Sequence, residues 1–239
     1  MLCFYDSANN WWISKPSKKH KSTALTVAWH PNSQVLASVA TDYRCRVISA
    51  YLEEVDSVPQ PAQFGTLTDP GDVITEFETT RAWLNDCAWS PSGLSLAFVG
   101  HDSLLHVVSF GTTPDTAPLI QSIKCPTLPG MRILFLSETA LITAGHSMNP
   151  ELFSRNANGI WQFICYIDRK DTSKATTNAA SSSGVAAARA MFANKVTKGI
   201  STNTGSASGP EDVWTKHQNA ITYLQPYGVT SKYFLDENF

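Results

Sequence analysis

Ala28-Trp29-His30-Pro31 returns sixty positions later as Ala88-Trp89-Ser90-Pro91, and the same displacement carries Asp42 onto Asp102 and Val47 onto Val107. Several separate matches at one shift mark an internal repeat. In each copy, 24–51 and 83–110, an apolar alternating run leads into a Pro-Asn or Pro-Ser-Gly turn. A small-residue apolar run, an Asp turn and a third alternating run follow. Period-2 runs of β-branched and aromatic residues, broken by turn residues every ~8–12 positions, read as antiparallel strands. Four short strands in a unit of roughly 40–45 residues is the pattern of a β-propeller blade. The spacing predicts an all-β repeat protein in which each copy is a four-stranded blade, with Trp29 and Trp89 in equivalent, mostly buried core places.

Outward from these copies the pattern weakens but persists. Cys3-Phe-Tyr and Trp11-Trp12-Ile13 flank a polar turn and read as the two closing strands of a blade. A Pro/Gly-rich stretch, 57–70, is expected to separate the first copy from the second. A third, degenerate copy starts at Arg132-Ile-Leu-Phe-Leu136. It continues through Leu141-Ile-Thr-Ala-Gly-His146, which sets His146 on His101 at a shift of 45, and closes with Ile160-Trp-Gln-Phe-Ile-Cys-Tyr166. The expected organisation is a partial propeller over 1–170, an inserted arm over 171–212 and the start of a further blade over 213–239.

The arm is built of Ser, Thr, Ala, Gly and Asn, a composition that cannot bury enough apolar surface to order most of it. One helix is predicted inside it, near 184–198, capped by Ser182 or Ser183 and stopped by Gly199. Val185, Phe192 and Val196 share a face, with Met191 beside them. A helix of about 14 residues is marginal in water by itself. An apolar stripe between disorder-type flanks therefore points to docking on a partner.

Composition narrows the function classes. The chain has 239 residues, 43% hydrophobic and 16% charged, with a net charge of -2. That suits a globular protein and argues against nucleic acid or an anionic membrane surface as partner. No stretch approaches the roughly 18 apolar residues of a membrane span. The five cysteines are scattered and read as buried thiols in a reducing, cytosolic setting, neither a disulfide framework nor a zinc site. Asp42 and Asp102 fall at matching turns and are expected to bond backbone amides of their own turns, a structural role. His101-Asp102-Ser103 spells a triad, but neighbours in one strand turn cannot aim at each other as a triad requires. His101 and His146, at equivalent places, are read as structural. No metal ligand set, cofactor or catalytic group is expected.

Asn10-Trp-Trp-Ile-Ser-Lys15, Ala28-Trp-His-Pro-Asn32, Thr41-Asp-Tyr-Arg-Cys-Arg-Val47, Ser49-Ala-Tyr-Leu-Glu-Glu-Val55 and Ala144-Gly-His146 carry a resemblance. Through them the chain resembles the WD-repeat subunit family of the actin-related protein 2/3 complex, over residues 1 to about 235. The resemblance implies a non-catalytic propeller that scaffolds an actin-nucleating complex in the cytoplasm. Its partners would be actin-related proteins and other subunits, the actin filament and nucleation-promoting factors, with Val185, Met191, Phe192 and Val196 on the arm facing them. That family's seven blades need about 280 residues, so an incomplete propeller of about four blades, truncated at both ends, is expected here. A generic WD-repeat adaptor of another cytosolic assembly is the competing class.

Overall fold

The alternating runs do become strands, and each pairs back on the one before it. The computed structural model describes residues 2–6, 9–15, 19–53, 56, 61–67, 69–168 and 215–226. One compact unit comprises residues 1–168 and 216–239, and a second 169–215. Apart from Thr215, the described residues belong to the first.

That unit opens with a two-stranded hairpin, β1 (Leu2–Asp6) and β2 (Trp11–Lys15). Three four-stranded antiparallel blades follow. The first is β3 (Ala24–Trp29), β4 (Val35–Ala40), β5 (Cys45–Ser49) and β6 (Val73–Phe77). The second is β7 (Leu84–Trp89), β8 (Ser95–Gly100), β9 (Leu104–Ser109) and β10 (Leu119–Lys124). The third is β11 (Gly130–Ser137), β12 (Ala140–Gly145), β13 (Glu151–Arg155) and β14 (Trp161–Tyr166). Among the described residues the protein is all-β, with three blades of the WD-repeat propeller kind and one further hairpin.

The repeat is visible in backbone detail. Each inner strand carries a register shift at the same place: Ala24/Thr26, Leu84/Asp86 and Gly130/Arg132. Each turn between second and third strands holds a left-handed residue at the same position, Tyr43, Ser103 and Met148. Period-2 alternation then divides the side chains. From β8, Leu96 and Phe98 pack towards the first blade with Trp89, Val47 and Phe77, while Ala97 and Val99 pack towards the third with Ile133, Phe135 and Trp161. Each large apolar side chain taken out of water this way contributes about 1.5–3 kcal/mol before ordering costs.

Several expectations need correction. Residues 24–51 and 83–110 supply three strands each, not four. The fourth strand lies beyond a loop, so 57–70 falls inside the first blade rather than between blades. Val73-Ile-Thr-Glu-Phe77 alternates and pairs Cys45 with Phe77 and Arg46 with Glu76, which completes that sheet. Trp29 and Trp89 are equivalent in register, facing Leu36 and Leu96 respectively. Their burial differs: Trp89 is 8% exposed and Trp29 49%. The first blade covers the Trp89 face of β7. The Trp29 face of β3 has no four-stranded sheet against it among the described residues.

Cys45, Cys87 and Cys125 are buried, but Cys3 is exposed and Cys165 only partly covered. A two-stranded hairpin has too little sheet around it to bury Cys3. Burial pushes the Cys125 thiol up to about 12, which keeps it protonated and unreactive. Residues 215–226 run as irregular chain rather than as a laddered strand. Ile221 N–H donates to the Gly145 carbonyl at 3.0 Å, and Arg132 Nε donates to the Thr222 carbonyl at 2.7 Å. The expected arm helix, with Val185, Met191, Phe192 and Val196, lies outside the described residues.

Candidate functional site

At one end of each blade, the loop entering the inner strand meets the turn between second and third strands, and a buried polar junction ties them. In the first blade Asp42 accepts from the Lys21 amide (3.0 Å) and from Arg46 Nη1 (2.7 Å). Arg46, 2% exposed, also reaches Glu76 through Nε at 2.6 Å. His20 lies against the same guanidinium and touches the Ser38 hydroxyl. Burial pushes the Asp42 carboxyl up, but the Lys21 amide and Arg46 outweigh it and hold its pKa below the usual value.

The second blade places different residues in the same positions. Asp102 accepts from Leu104 N–H at 3.1 Å, from His106 Nε2 at 3.1 Å and from the Thr80 hydroxyl. His106 also meets Ser122 Oγ at 2.8 Å and stacks on Phe98. Here too burial raises the carboxyl and its donors, His106 first among them, bring the pKa below normal. The third blade puts Glu151 where Arg46 and His106 stood, bonded to Thr127 and Thr143. Ser147, in the aspartate's place, donates to the Asn149 carbonyl. Burial raises the Glu151 carboxyl. Asp42 thus binds an amide from the neighbouring loop, whereas Asp102 binds one in its own turn.

His101 and His146 stand beside these junctions, their rings 6.0 Å apart, with the half-exposed Trp83 edge-on to His101 at 5.8 Å. At the opposite end a seam joins the first two blades. His30 Nδ1 lies 2.6 Å from Asn32 Oδ1 and 3.2 Å from the Asn32 amide, and its Nε2 lies 3.2 Å from the Gly93 carbonyl. Gln63 bonds that carbonyl too (3.0 Å), and Trp89 Nε1 donates to Ala28 O at 3.2 Å. A cavity of about 630 Å³ opens along the inner strands there, lined by Trp29, Pro31, Pro91, Leu134 and Phe135. It has the size of a recognition cleft with few polar groups.

Repeat matching passed over Arg46, His106 and Glu151. A polar residue in mid-strand, Cys-Arg-Val and Leu-His-Val at the same shift, was the signal available. Among the described residues no cluster of three or more His, Cys, Asp and Glu side chains is placed to hold a metal ion. No helix among them is long and apolar enough to cross a membrane.

The junctions and the seam make stability depend on pH. Burial, aided by Arg46, lowers the pKa of His20, and burial lowers that of His30, from 6.5. Both rings stay neutral in the fold where the unfolded chain takes up protons. Their contribution is complete above about pH 6.5 and declines as pH falls towards the folded values. Asp86 and Glu151, raised by burial, act in the opposite sense. The histidine effect is therefore read as a difference. Replacing His20 and His30 by glutamine should flatten the fall in Tm between about pH 7.5 and 5.5, and an unchanged slope refutes the assignment.

Repeated blades, polar junctions at matching positions and an apolar stack define a WD-type propeller protein. No family model matches the chain. Against known proteins it is 36% identical over 228 residues to actin-related protein 2/3 complex subunit 1B of Arabidopsis thaliana, covering 95% of this chain and 58% of that protein. To subunit 1A of the same plant it is 37% identical over 208 residues, 87% of this chain and 54% of the relative. To subunit 1 of Schizosaccharomyces pombe it is 31% identical over 241 residues, 96% and 61% respectively. The chain belongs to the family of actin-related protein 2/3 complex subunit 1. It spans about half to three fifths of the length of these curated relatives.

Proposed function

We propose that this protein is a non-catalytic scaffold subunit of the actin-nucleating actin-related protein 2/3 complex, working in the cytoplasm at branched actin filaments. The supporting observation is the 36% identity that extends over 95% of the chain to a protein named as subunit 1 of that complex. The blade stack offers a rigid body whose side chains are spent on packing and junctions rather than on an assembled nucleophile, base and orienter. Its partners are other subunits of the complex. The arm, with Val185, Met191, Phe192 and Val196, is the element proposed to meet actin or nucleation-promoting factors.

The test is affinity purification of the tagged chain from its own cells, followed by branching assays. Actin-related proteins should co-purify. Met191→Ala with Phe192→Ala should leave assembly intact while branching falls, since losing a buried aromatic anchor costs 2 kcal/mol or more, roughly thirtyfold in affinity. Absence of actin-related proteins would favour a WD-repeat adaptor of another assembly. Loss of assembly in the double variant would make the arm structural.

A further inference from the structure

We propose that Asp86 is a charge clasp which, through Arg132, holds residues 221–224 on the third blade, so that a carboxylate of the second blade fixes the stretch following the arm. The inference starts from the bulges. The register shift in each inner strand ends on Thr26, Asp86 and Arg132, one residue per blade at one position. A bulge re-aims the side chain beside it. Here the three side chains are a hydroxyl, a carboxylate and a guanidinium, while their partners across the second strands are Val39, Val99 and Ala144.

These three meet across the blades. Asp86 Oδ2 accepts from the Ile133 amide of β11 at 3.0 Å, and Oδ1 faces Arg132 Nη1 at 3.9 Å. The Cys87 amide and the Thr26 hydroxyl also reach the carboxylate. That hydroxyl shares its proton with the Asn85 carbonyl, 2.9 Å away, and Asn85 Nδ2 donates to the Gly130 carbonyl at 2.8 Å. The second blade's bulge is thus tied to β3 on one side and to β11 on the other. The Asp86 side chain is buried, and a buried charge needs its counter-ion.

Arg132 passes the tie on. Its Nη1 faces Asp86 while its Nε donates to the Thr222 carbonyl at 2.7 Å, and the Ile221 amide donates to Gly145 at 3.0 Å. Thr26, Asp86, Arg132, Tyr223 and Leu224 line one cavity of about 440 Å³, so the clasp and the strap it holds share a surface. The polar groups there are spent on one another, which makes the arrangement a clasp rather than a ligand site. A guanidinium is planar, so a carboxylate drawing one edge of it fixes where the other N–H groups point. Arg132 is partly exposed, and without that pull its long side chain regains rotamer freedom in water. An uncharged Asp86 keeps an acceptor for Ile133 but loses its attraction for the guanidinium. The blades then stay together while the strap loosens.

The test is amide exchange on the full 239-residue chain, read residue by residue by NMR. Asp86→Asn keeps the side chain's shape and removes its charge. It should speed exchange at the Ile221 amide by about tenfold or more while β8 and β9 keep their protection. Arg132→Gln should do the same, and the double variant should add little, because both act on one chain of bonds. An Ile221 rate unchanged by Asp86→Asn, effects that multiply in the double variant, or a rise spread through β8 and β9 overturns the proposal. A second measurement needs Arg132→Gln alone: NMR titration of the Asp86 carboxyl. Burial raises its pKa and Arg132 works against that rise, so without the guanidinium the midpoint should move further up. An unmoved midpoint refutes the clasp. The other titratable groups around Asp86 among the described residues are the Cys87 thiol, kept protonated by burial, and Tyr223 across the cavity. Neither readout depends on membership of the actin-nucleating complex, so the clasp stands or falls separately from the proposed function.

Discussion

Gly93→Ala is expected to lower the unfolding free energy by about 2–5 kcal/mol, the sum of a left-handed backbone penalty of about 1–2 and an overpacking cost of about 1–3. Gly93 sits at φ +78°, and a Cβ built on it would stand 2.0 Å from His30 Nε2. The imidazole has little room to retreat. Trp89 lies edge-on to it at 4.9 Å, Phe64 at 5.7 Å, and its other nitrogen is held against Asn32. The methyl group must therefore displace the ring or the turn, and either motion breaks the His30 and Gln63 bonds to the Gly93 carbonyl. At roughly 2–4 °C per kcal/mol for a domain of this size, Tm should fall by about 4–20 °C. Gly93→Ala combined with His30→Ala separates the two costs, since the clash disappears and the backbone penalty stays. A Tm for Gly93→Ala within a degree of the parent would show that the seam gives way without cost.

Arg46→Ala is the second large effect, expected at about 3–5 kcal/mol because removing one partner of a buried ion pair leaves uncompensated charge behind. The guanidinium serves two carboxylates at once, Asp42 at 2.7 Å and Glu76 at 2.6 Å. Asp42 is nearly as buried as the arginine, at 7% side-chain exposure. Without Arg46 its charge keeps the Lys21 amide and loses its counter-ion. Arg46→Lys should recover only part of the loss, because an ammonium cannot present a planar fork to two acceptors. Denaturant unfolding gives the comparison, and a cycle with Asp42→Asn isolates the coupling. Additive losses would mean that the junction is a set of independent bonds.

How far the amino-acid string discloses this architecture depends on where information is local. The three strands from Ala24 to Ser49 are legible because turn residues and alternation repeat at one displacement. The fourth is not, because the connection before β6 is far longer than that before β10 and β6 shares no motif with β10. Trp29 stands in nearly the same motif as Trp89, Ala-Trp-His-Pro against Ala-Trp-Ser-Pro, and the one local difference does not report burial. Its exposure is decided by what stands on the far side of β3. Arg46, His106 and Glu151 occupy one position with three chemistries, and identity matching is blind to a role that persists while its residues change. The arm stripe was legible as a pattern, but it falls beyond the described residues.

The unlike polar junctions constrain how such a chain can be rebuilt. His20, Ser38, Asp42, Arg46 and Glu76 work as a set. So do Thr80, Phe98, Asp102, His106 and Ser122, position for position. A blade moved whole takes its complete set with it. A crossover that falls inside a blade joins halves of two sets, leaving an arginine opposite Ser122 or a histidine opposite Glu76. Duplication and exchange of these repeats are therefore tolerated at the loops between blades and penalised within them, which makes the blade, rather than the strand or the residue, the unit by which this scaffold changes.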